Sequence, residues 1–274
     1  MCRTNGVVAF TGLMDHRRIS VVIPVKDDAR HLTRLLELLG EQTLVPFEIV
    51  VVDDGSVDES AAIARRAGAR VVVHDGAGIP ASTARGFDVA EGDVLARLDA
   101  DSQPGPEWLV RIAGHFADPA VGAVTGPGRF VELGSVARTL ARIGYMDAYF
   151  ALMGAALGHW PLFGSNCAVR RTVWAGIADE VHRDDPYVHD DVEISLHLGL
   201  RHRIRLDRHL EVGISARPFG AVADLVRRFD RAFYTLRRHR GLTAPARRWT
   251  HQARRLRRDR LRRTAVERRV AKHT

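Results

Sequence analysis

From residue 19 onward the apolar residues follow two alternating rhythms. Short runs rich in valine and isoleucine, ISVVIPV (19–25), FEIVVVDD (47–54), RVVVH (70–74) and DVLARLDAD (93–101), alternate with stretches whose apolar positions recur at helical spacing. This alternation predicts βαβ units and a mainly parallel sheet. Leu32, Leu35, Leu36 and Leu39 mark one face of a helix after the first strand, with Asp27 or Asp28 suited to its N-cap and Gly40 to its end. Residues 49–52 are apolar on both faces, as a strand buried in a parallel sheet requires. A helix over 58–67 closes at Gly68, and Pro80 opens another that reaches residue 90. Trp108, Leu109, Ile112 and Phe116 belong to a helix after Pro104 and Pro106, and VGAVTG (121–126) is a fifth strand. Beyond Gly134 the pattern predicts a helix to 153, a short strand over 166–169, helices from Thr172 and over 191–200, and a strand pair within 204–214.

Composition narrows the class. With 274 residues, 46% of them hydrophobic, the chain can bury one large α/β core, with or without a tail. Cys2 and Cys167 form no CxxC pair, which points away from a disulfide framework or a thiolate zinc site and towards a reducing, cytoplasmic setting. The longest apolar candidate for a membrane span, 148–163, is interrupted by Gly154, Gly158, His159 and Pro161. Residues 1–18 read as a leader ahead of the first strand, with Met14 as an alternative start. Charge then divides the rest. Residues 227–274 hold 18 basic residues and three acids, a net of +15, which leaves −7 for the remainder of a chain that totals +8. The expected organisation is a leader (1–18), an acidic catalytic body (19–226) and an Arg-rich, helical or partly disordered tail (227–274).

In an open parallel sheet, ligands bind beyond the carboxyl ends of the strands. Three such ends here carry acids or a basic-acidic turn: Val25-Lys26-Asp27-Asp28, Asp53-Asp54-Gly55-Ser56 and Asp99-Ala100-Asp101. Two carboxylates at i and i+2 suit a hard cation such as Mg²⁺ or Mn²⁺, which takes oxygen ligands and is completed by a diphosphate. A single DxD is a common acidic turn, but a second acidic turn at the end of an earlier strand makes the joint pattern specific. Asp54 can accept a hydrogen bond from the donor edge of a base, or cap the next helix, while Gly55 lets the backbone turn sharply. Asp190 and Asp191 open HDDVEISLHL, where a carboxylate serves either as a general base or as a charge complement to the helix dipole. The histidines, among them His159, His189 and His197, show no HxxxH or HExxH spacing and are read as surface or network residues.

Taken in order, VVIPVKDD, IVVVDDGSVDES, AEGDVLARLDADS, GSNCAVRR and HDDVEISLHL resemble glycosyltransferase family 2 across residues 19–215. The resemblance implies an α/β fold of GT-A type, with a Rossmann-like, mainly parallel sheet flanked by helices. It also implies an inverting transfer from a nucleoside-diphosphate sugar, with UDP the expected carrier. Carried over by residue, the backbone near Val25 and the side chain of Asp54 hold the base, with Pro24 and Ser56 also on the donor side. Asp99 serves the ribose, diphosphate or metal, Asp101 is the direct ligand of Mn²⁺ or Mg²⁺, and Asp191, or its neighbour Asp190, is the general base. Thr83 and Ala84 stand where the family often has an Arg-Asn or Leu-Asn pair, so Arg85, one step out of register, becomes the candidate diphosphate contact. Asn166 and Trp160 are placed on the acceptor side. The absence of QxxRW after Asp191 argues for adding one sugar at a time.

The expected partners are a nucleotide-sugar donor and a sugar or lipid-linked acceptor. The basic tail is matched to an anionic membrane surface at the cytoplasmic face, with a nucleic-acid partner ranked below it. Two other functions compete: a sugar-nucleotide nucleotidyltransferase, which IPVKDD disfavours for want of a Gly-rich, Arg-containing loop, and an inactive scaffold acting through the tail.

Overall fold

A computed structural model describes residues 17–74, 78–216, 222–239, 248–250 and 253. The expected leader, but for Arg17 and Arg18, and most of the tail beyond residue 239 lie outside the described residues. The apolar runs form β1 (Ile19–Val25), β2 (Glu48–Asp53), β3 (Arg70–Val73) and β4 (Val94–Arg97), paired parallel in the order β3-β2-β1-β4. Between them run α1 (Ala29–Gly40), α2 (Ser60–Arg66) and α3 (Ile79–Val89). Alternation along β1 decides which helices pack where. Val21, Ile23 and Val25 meet the leucines of α1 together with Trp108, Leu109, Ile112 and Phe116 of α4 (Trp108–Phe116). Val22 points the other way, towards Ala84 and Phe87 of α3 and Ile194 and Leu198 of α8 (Asp190–Arg201).

Beyond β4 the sheet changes direction. β8 (Cys167–Arg170) enters between β4 and β6 (Val121–Thr125) and runs antiparallel to both, and β9 (Arg203–Leu206) completes the edge parallel to β6. The register sets Cys167 beside Arg97, so the residues just before β8 arrive at the carboxyl ends of the parallel strands.

Three features depart from the expectations. The strand pair predicted within 204–214 is not a pair: β9 joins the main sheet, while β10 (Val212–Ile214) joins a second, three-stranded sheet between β5 (Gln103–Pro104) and β7 (Gly128–Phe130). Those two flanking strands are two and three residues long, too short to leave a periodic trace. The helix after Gly134 comprises α5 (Ser135–Ala141), a π-helical stretch (Arg142–Asp147) and α6 (Ala148–Leu157). A short α7 (Arg171–Ala175) follows β8. Finally, the domain boundary expected between 226 and 227 falls inside α9 (Val222–Arg238), which is docked on the body rather than separate from it. Thr235 accepts a hydrogen bond from the His189 backbone N–H at 2.8 Å, Tyr234 donates to Asp185 at 2.8 Å, and Arg231 donates to the carbonyl of Val188 at 2.8 Å. Arg248 is also buried, donating to the carbonyls of Leu157 (2.7 Å) and Leu196 (3.0 Å).

Candidate active site

The turns after β1 and β2 lock together through their polar side chains. Asp27, held at a φ of 50°, accepts the Val57 N–H at 2.7 Å, while its own N–H donates to Ser56 Oγ at 3.0 Å. Asp58 accepts the Ala29 N–H at 2.9 Å, so the start of α1 is capped from the neighbouring turn. Asp28 does not cap it; its carboxylate meets His31 instead. Gly55 adopts a φ of 77°, the left-handed turn expected of DDG, and leaves Asp54 buried and facing α3. There Asp54 accepts the Gly78 N–H and the Ser82 hydroxyl, each at 3.2 Å. The Val25 carbonyl is taken by the Asp54 N–H at 2.9 Å.

One residue along α3, the Thr83 hydroxyl donates to Asp190 at 2.8 Å and receives Arg97 Nε at 3.1 Å. Arg97, the last residue of β4, is 3% exposed, and its Nη2 lies 3.0 Å from Asp99 and 3.2 Å from Asp190. Burial opposes the charge on this guanidinium, but Asp190 and Asp99 outweigh it and raise its pKa above the ordinary arginine value. The Ser165 hydroxyl donates to the other oxygen of Asp99, and the adjacent Gly164 N–H donates to Asp191 at 2.9 Å. A side chain at Gly164 has no room, because its Cβ would lie 1.9 Å from Arg97 Nη1. A chain of contacts therefore runs from Asp54 through Ser82-Thr83 to Asp190, through Arg97 to Asp99, and through Ser165-Gly164 to Asp191.

The two acids that open α8 differ in their surroundings. Asp190 is tied to a permanent cation and a hydroxyl. Asp191 faces His189, whose Nδ1 lies 2.5 Å from its Oδ1 in an alignment that makes an ion pair rather than a directed hydrogen bond. Burial works against the Asp191 charge, yet His189, the Gly164 N–H and Arg97 prevail and hold its carboxyl below the usual aspartate value. Burial likewise opposes protonation of His189, and Asp191 overcomes it, raising the imidazole above its ordinary pKa.

The remaining candidates are placed as follows. Asp99 is 37% exposed at its side chain, and Asp101 is partly exposed just beyond it. Arg85 stands exposed on α3, one turn after Ser82. Ser56 serves the turn-to-turn link already described, and Pro24 and Val25 are buried in β1. Asn166 is fully buried, with Oδ1 taken by the Trp108 indole N–H at 2.9 Å and Nδ2 donating to the carbonyls of Leu210 (2.5 Å) and Pro127 (3.3 Å). Its amide is spent on joining β8, α4 and the second sheet, so the acceptor-side role expected of it gives way to a positioning role. Trp160 is 43% exposed, with its ring beside Gly154 of α6.

Arg97, Thr83, Ser165, Gly164 and His189 were not singled out from the sequence as site residues. Arg97 did leave a signal, as the one charge inside VLAR on an otherwise apolar strand. Ser165 left none that distinguishes it from an ordinary turn residue.

Residues 20–175 match the family model described as glycosyl transferase family 2. An undecaprenyl-phosphate 4-deoxy-4-formamido-L-arabinose transferase from Pseudomonas fluorescens is 32% identical over 171 residues, covering 59% of this chain and 44% of that protein. Its counterpart from Pseudomonas syringae is 40% identical over 104 residues, or 34% and 31% of the two chains. The match thus spans less than half the length of these curated relatives. Among solved structures, the mannosyltransferase PcManGT from Pyrobaculum calidifontis, in complex with GDP-Man and Mn²⁺, superimposes with a TM-score of 0.61 at 21% identity, covering 81% of this chain and 64% of that one. Glucosyl-3-phosphoglycerate synthase from Mycobacterium tuberculosis, in complex with Mn²⁺, UDP and glucosyl-3-phosphoglycerate, gives 0.55 at 19% identity, with 79% and 80% covered. The shared architecture is the GT-A fold.

Proposed function

Since the chain belongs to glycosyl transferase family 2, we propose that it moves one sugar per turnover from a nucleoside-diphosphate donor, UDP-linked, to an acceptor hydroxyl, with inversion at the anomeric carbon. The observation that carries this reading is the unbroken chain of contacts from Asp54 to Asp191, which links acids from two strand ends and a helix start. In this reading the β1 edge at Pro24 and Val25 and the Asp54 carboxylate hold the base, and Arg85 reaches the diphosphate from α3.

Asp101 and Asp99 would hold a divalent cation, Mn²⁺ or Mg²⁺. Their all-oxygen donor set, partly exposed at the end of β4, fits the preference of such ions. When bound, the cation offsets charge that develops on the departing diphosphate. Arg97 orients Asp99 from below and holds Asp190 at the same time, which leaves Asp191 as the base. Its carboxylate takes the proton of the acceptor hydroxyl while that oxygen bonds to the anomeric carbon and the bond from that carbon to the diphosphate breaks. His189 fixes the orientation of Asp191 and keeps it ionised.

The relatives' undecaprenyl-phosphate substrates support a lipid-linked acceptor for this chain too. So does the rim of the protein. Val136, Leu140 and Ile143 project from the helix before α6, and Val226, Phe229 and Phe233 project from α9 beside Arg227. Apolar residues interleaved with arginines suit an anionic membrane surface, and we place the enzyme at the cytoplasmic face on this ground. Among the described residues no helix is long and apolar enough to cross a membrane.

Calorimetric titration with UDP and Mn²⁺ tests the site. Asp101→Ala abolishes metal-dependent UDP binding, whereas Asp191→Asn keeps binding and removes sugar transfer. Unchanged affinity in Asp101→Ala sinks the metal assignment, and pyrophosphate release from a nucleoside triphosphate would restore the nucleotidyltransferase reading.

A further inference from the structure

α5, the π-helical stretch and α6 run without a break over 135–157. The inner face of this helix is apolar because it packs inward: Met146 and Phe150 meet Phe130, Phe163 and Ile214. The outer face is apolar without such a cause. Val136, Leu140 and Ile143 fall at i, i+4 and i+7, on one side of the helix, and are 74%, 66% and 55% exposed. Further along, Ala151, Leu152 and Ala155 are exposed as well. α6 carries no charged residue, yet one side of it faces solvent. A helix apolar all round belongs inside a core or in lipid, and a continuous exposed apolar patch marks a surface that meets a partner.

The end of this stripe indicates the partner's chemistry. Trp160 lies with its ring beside Gly154, Trp249 donates its indole N–H to the Ala155 carbonyl at 3.0 Å, and both side chains are about half exposed. Indoles at the rim of an apolar surface suit the boundary between hydrocarbon and headgroups. Beyond Trp249 the sequence carries ten Arg or Lys against two acids over 250–274, a net of +8 with histidines neutral. Because Trp249 is fixed on α6, this charge starts at the apolar stripe. The single acid within 135–157, Asp147, is paired with Arg208 at 2.9 Å. A second copy of the chain seated here by two-fold symmetry would bring two +8 segments together, whereas an anionic bilayer neutralises them.

On the reading of a lipid-linked acceptor, on which this inference rests, we propose that the outer face of the 135–157 helix is the part of the molecule that lies in an anionic lipid bilayer. The apolar stripe enters the headgroup boundary, Trp160 and Trp249 sit at its rim, and the basic segment after Trp249 is held by the lipid charge. The inner side of the same helix leads to the proposed catalytic acids. Tyr149 donates to the Leu162 carbonyl at 2.6 Å, and Gly164 and Ser165, just beyond, contact Asp191 and Asp99. The helix that touches the lipid therefore also braces the segment that touches both acids.

The test uses full-length protein and vesicles of equimolar phosphatidylglycerol and phosphatidylcholine, without donor or acceptor. Wild type is expected to cosediment with them, less so as salt rises, and to bind phosphatidylcholine alone far more weakly. Leu140→Ser/Ile143→Ser weakens the partition by about tenfold or more, whereas Val45→Ser, at an exposed apolar residue ahead of β2, leaves it unchanged. Brominated phosphatidylcholine in the anionic vesicles quenches the tryptophan emission; Trp108 and Trp174 are buried, so the signal reports Trp160 and Trp249. Equal partition of wild type and the double variant, equal binding to phosphatidylcholine alone, or an absence of quenching overturns the proposal. Should the double variant fail to fold, the quenching of wild type decides. Calorimetry with UDP and Mn²⁺ on the same preparations separates the two readings: lost lipid binding with intact UDP binding fails this face alone, and the converse fails the donor site alone.

Discussion

Arg97 illustrates how a single residue organises the site. It is buried, and it satisfies two carboxylates from different elements at 3.0 and 3.2 Å. Removing one partner of a buried ionic group leaves the others uncompensated, so Arg97→Ala should cost about 3–5 kcal/mol of stability, measured by denaturant unfolding. Arg97→Lys keeps the charge but not the fork, and should restore stability more than sugar transfer. His189 acts at the same scale through charge. It is one of the groups that hold the Asp191 carboxyl below its ordinary value, so where Asp191 protonation sets the acid limb of kcat/KM, that limb lies below the usual aspartate range. Without His189 the carboxyl binds its proton more readily, and in His189→Ala the limb moves to higher pH. An unmoved limb would show that His189 does not tune the base.

At the scale of elements, the decisive event is the antiparallel entry of β8 beside β4. It brings Gly164 and Ser165 against Arg97 and Asp99, although the segments lie more than 60 residues apart in sequence. Gly164→Ala drives a methyl group into the Arg97 guanidinium and should destabilise the protein by about 1–3 kcal/mol while lowering turnover more than donor affinity. Kinetic and calorimetric constants for one preparation separate the two effects. The helices and long strands were legible in advance because period 3.6 and buried β-branched runs are local properties: α1, α3 and β1 to β4 fall close to where the pattern places them. β5, β7 and the direction of β8 were not legible, since two or three residues carry no period and pairing direction leaves no mark on one strand. Asn166 shows the same limit within the site. A polar residue entering a strand is equally compatible with binding a sugar and with satisfying buried carbonyls, and only its neighbours choose.

Considered as a whole molecule, the chain is less divided than its charge suggests. The basic segment begins inside α9, whose Thr235 holds the His189 backbone at 2.8 Å, so the segment that looks like an appendage supports the residue that faces Asp191, the proposed base. A chain ending at residue 216 should keep UDP and Mn²⁺ binding, because the acids proposed to hold the donor, Asp54, Asp99 and Asp101, lie just past the ends of β2 and β4, yet lose roughly tenfold or more in turnover through the missing support. Calorimetry and radiolabelled transfer on the same truncated protein check both halves; undiminished turnover would return α9 to the status of a tail. What the sequence determined unaided are the features written within a few neighbouring residues: strands, helices, acidic termini and the order of motifs that marks the family. What only the tertiary structure decided are the links between them, namely Arg97 with Asp190, Ser165 with Asp99, α9 with His189, and three histidines around Glu193. Those contacts join groups tens of residues apart and gain their energy only once the chain has closed on itself, so no local pattern has to record them.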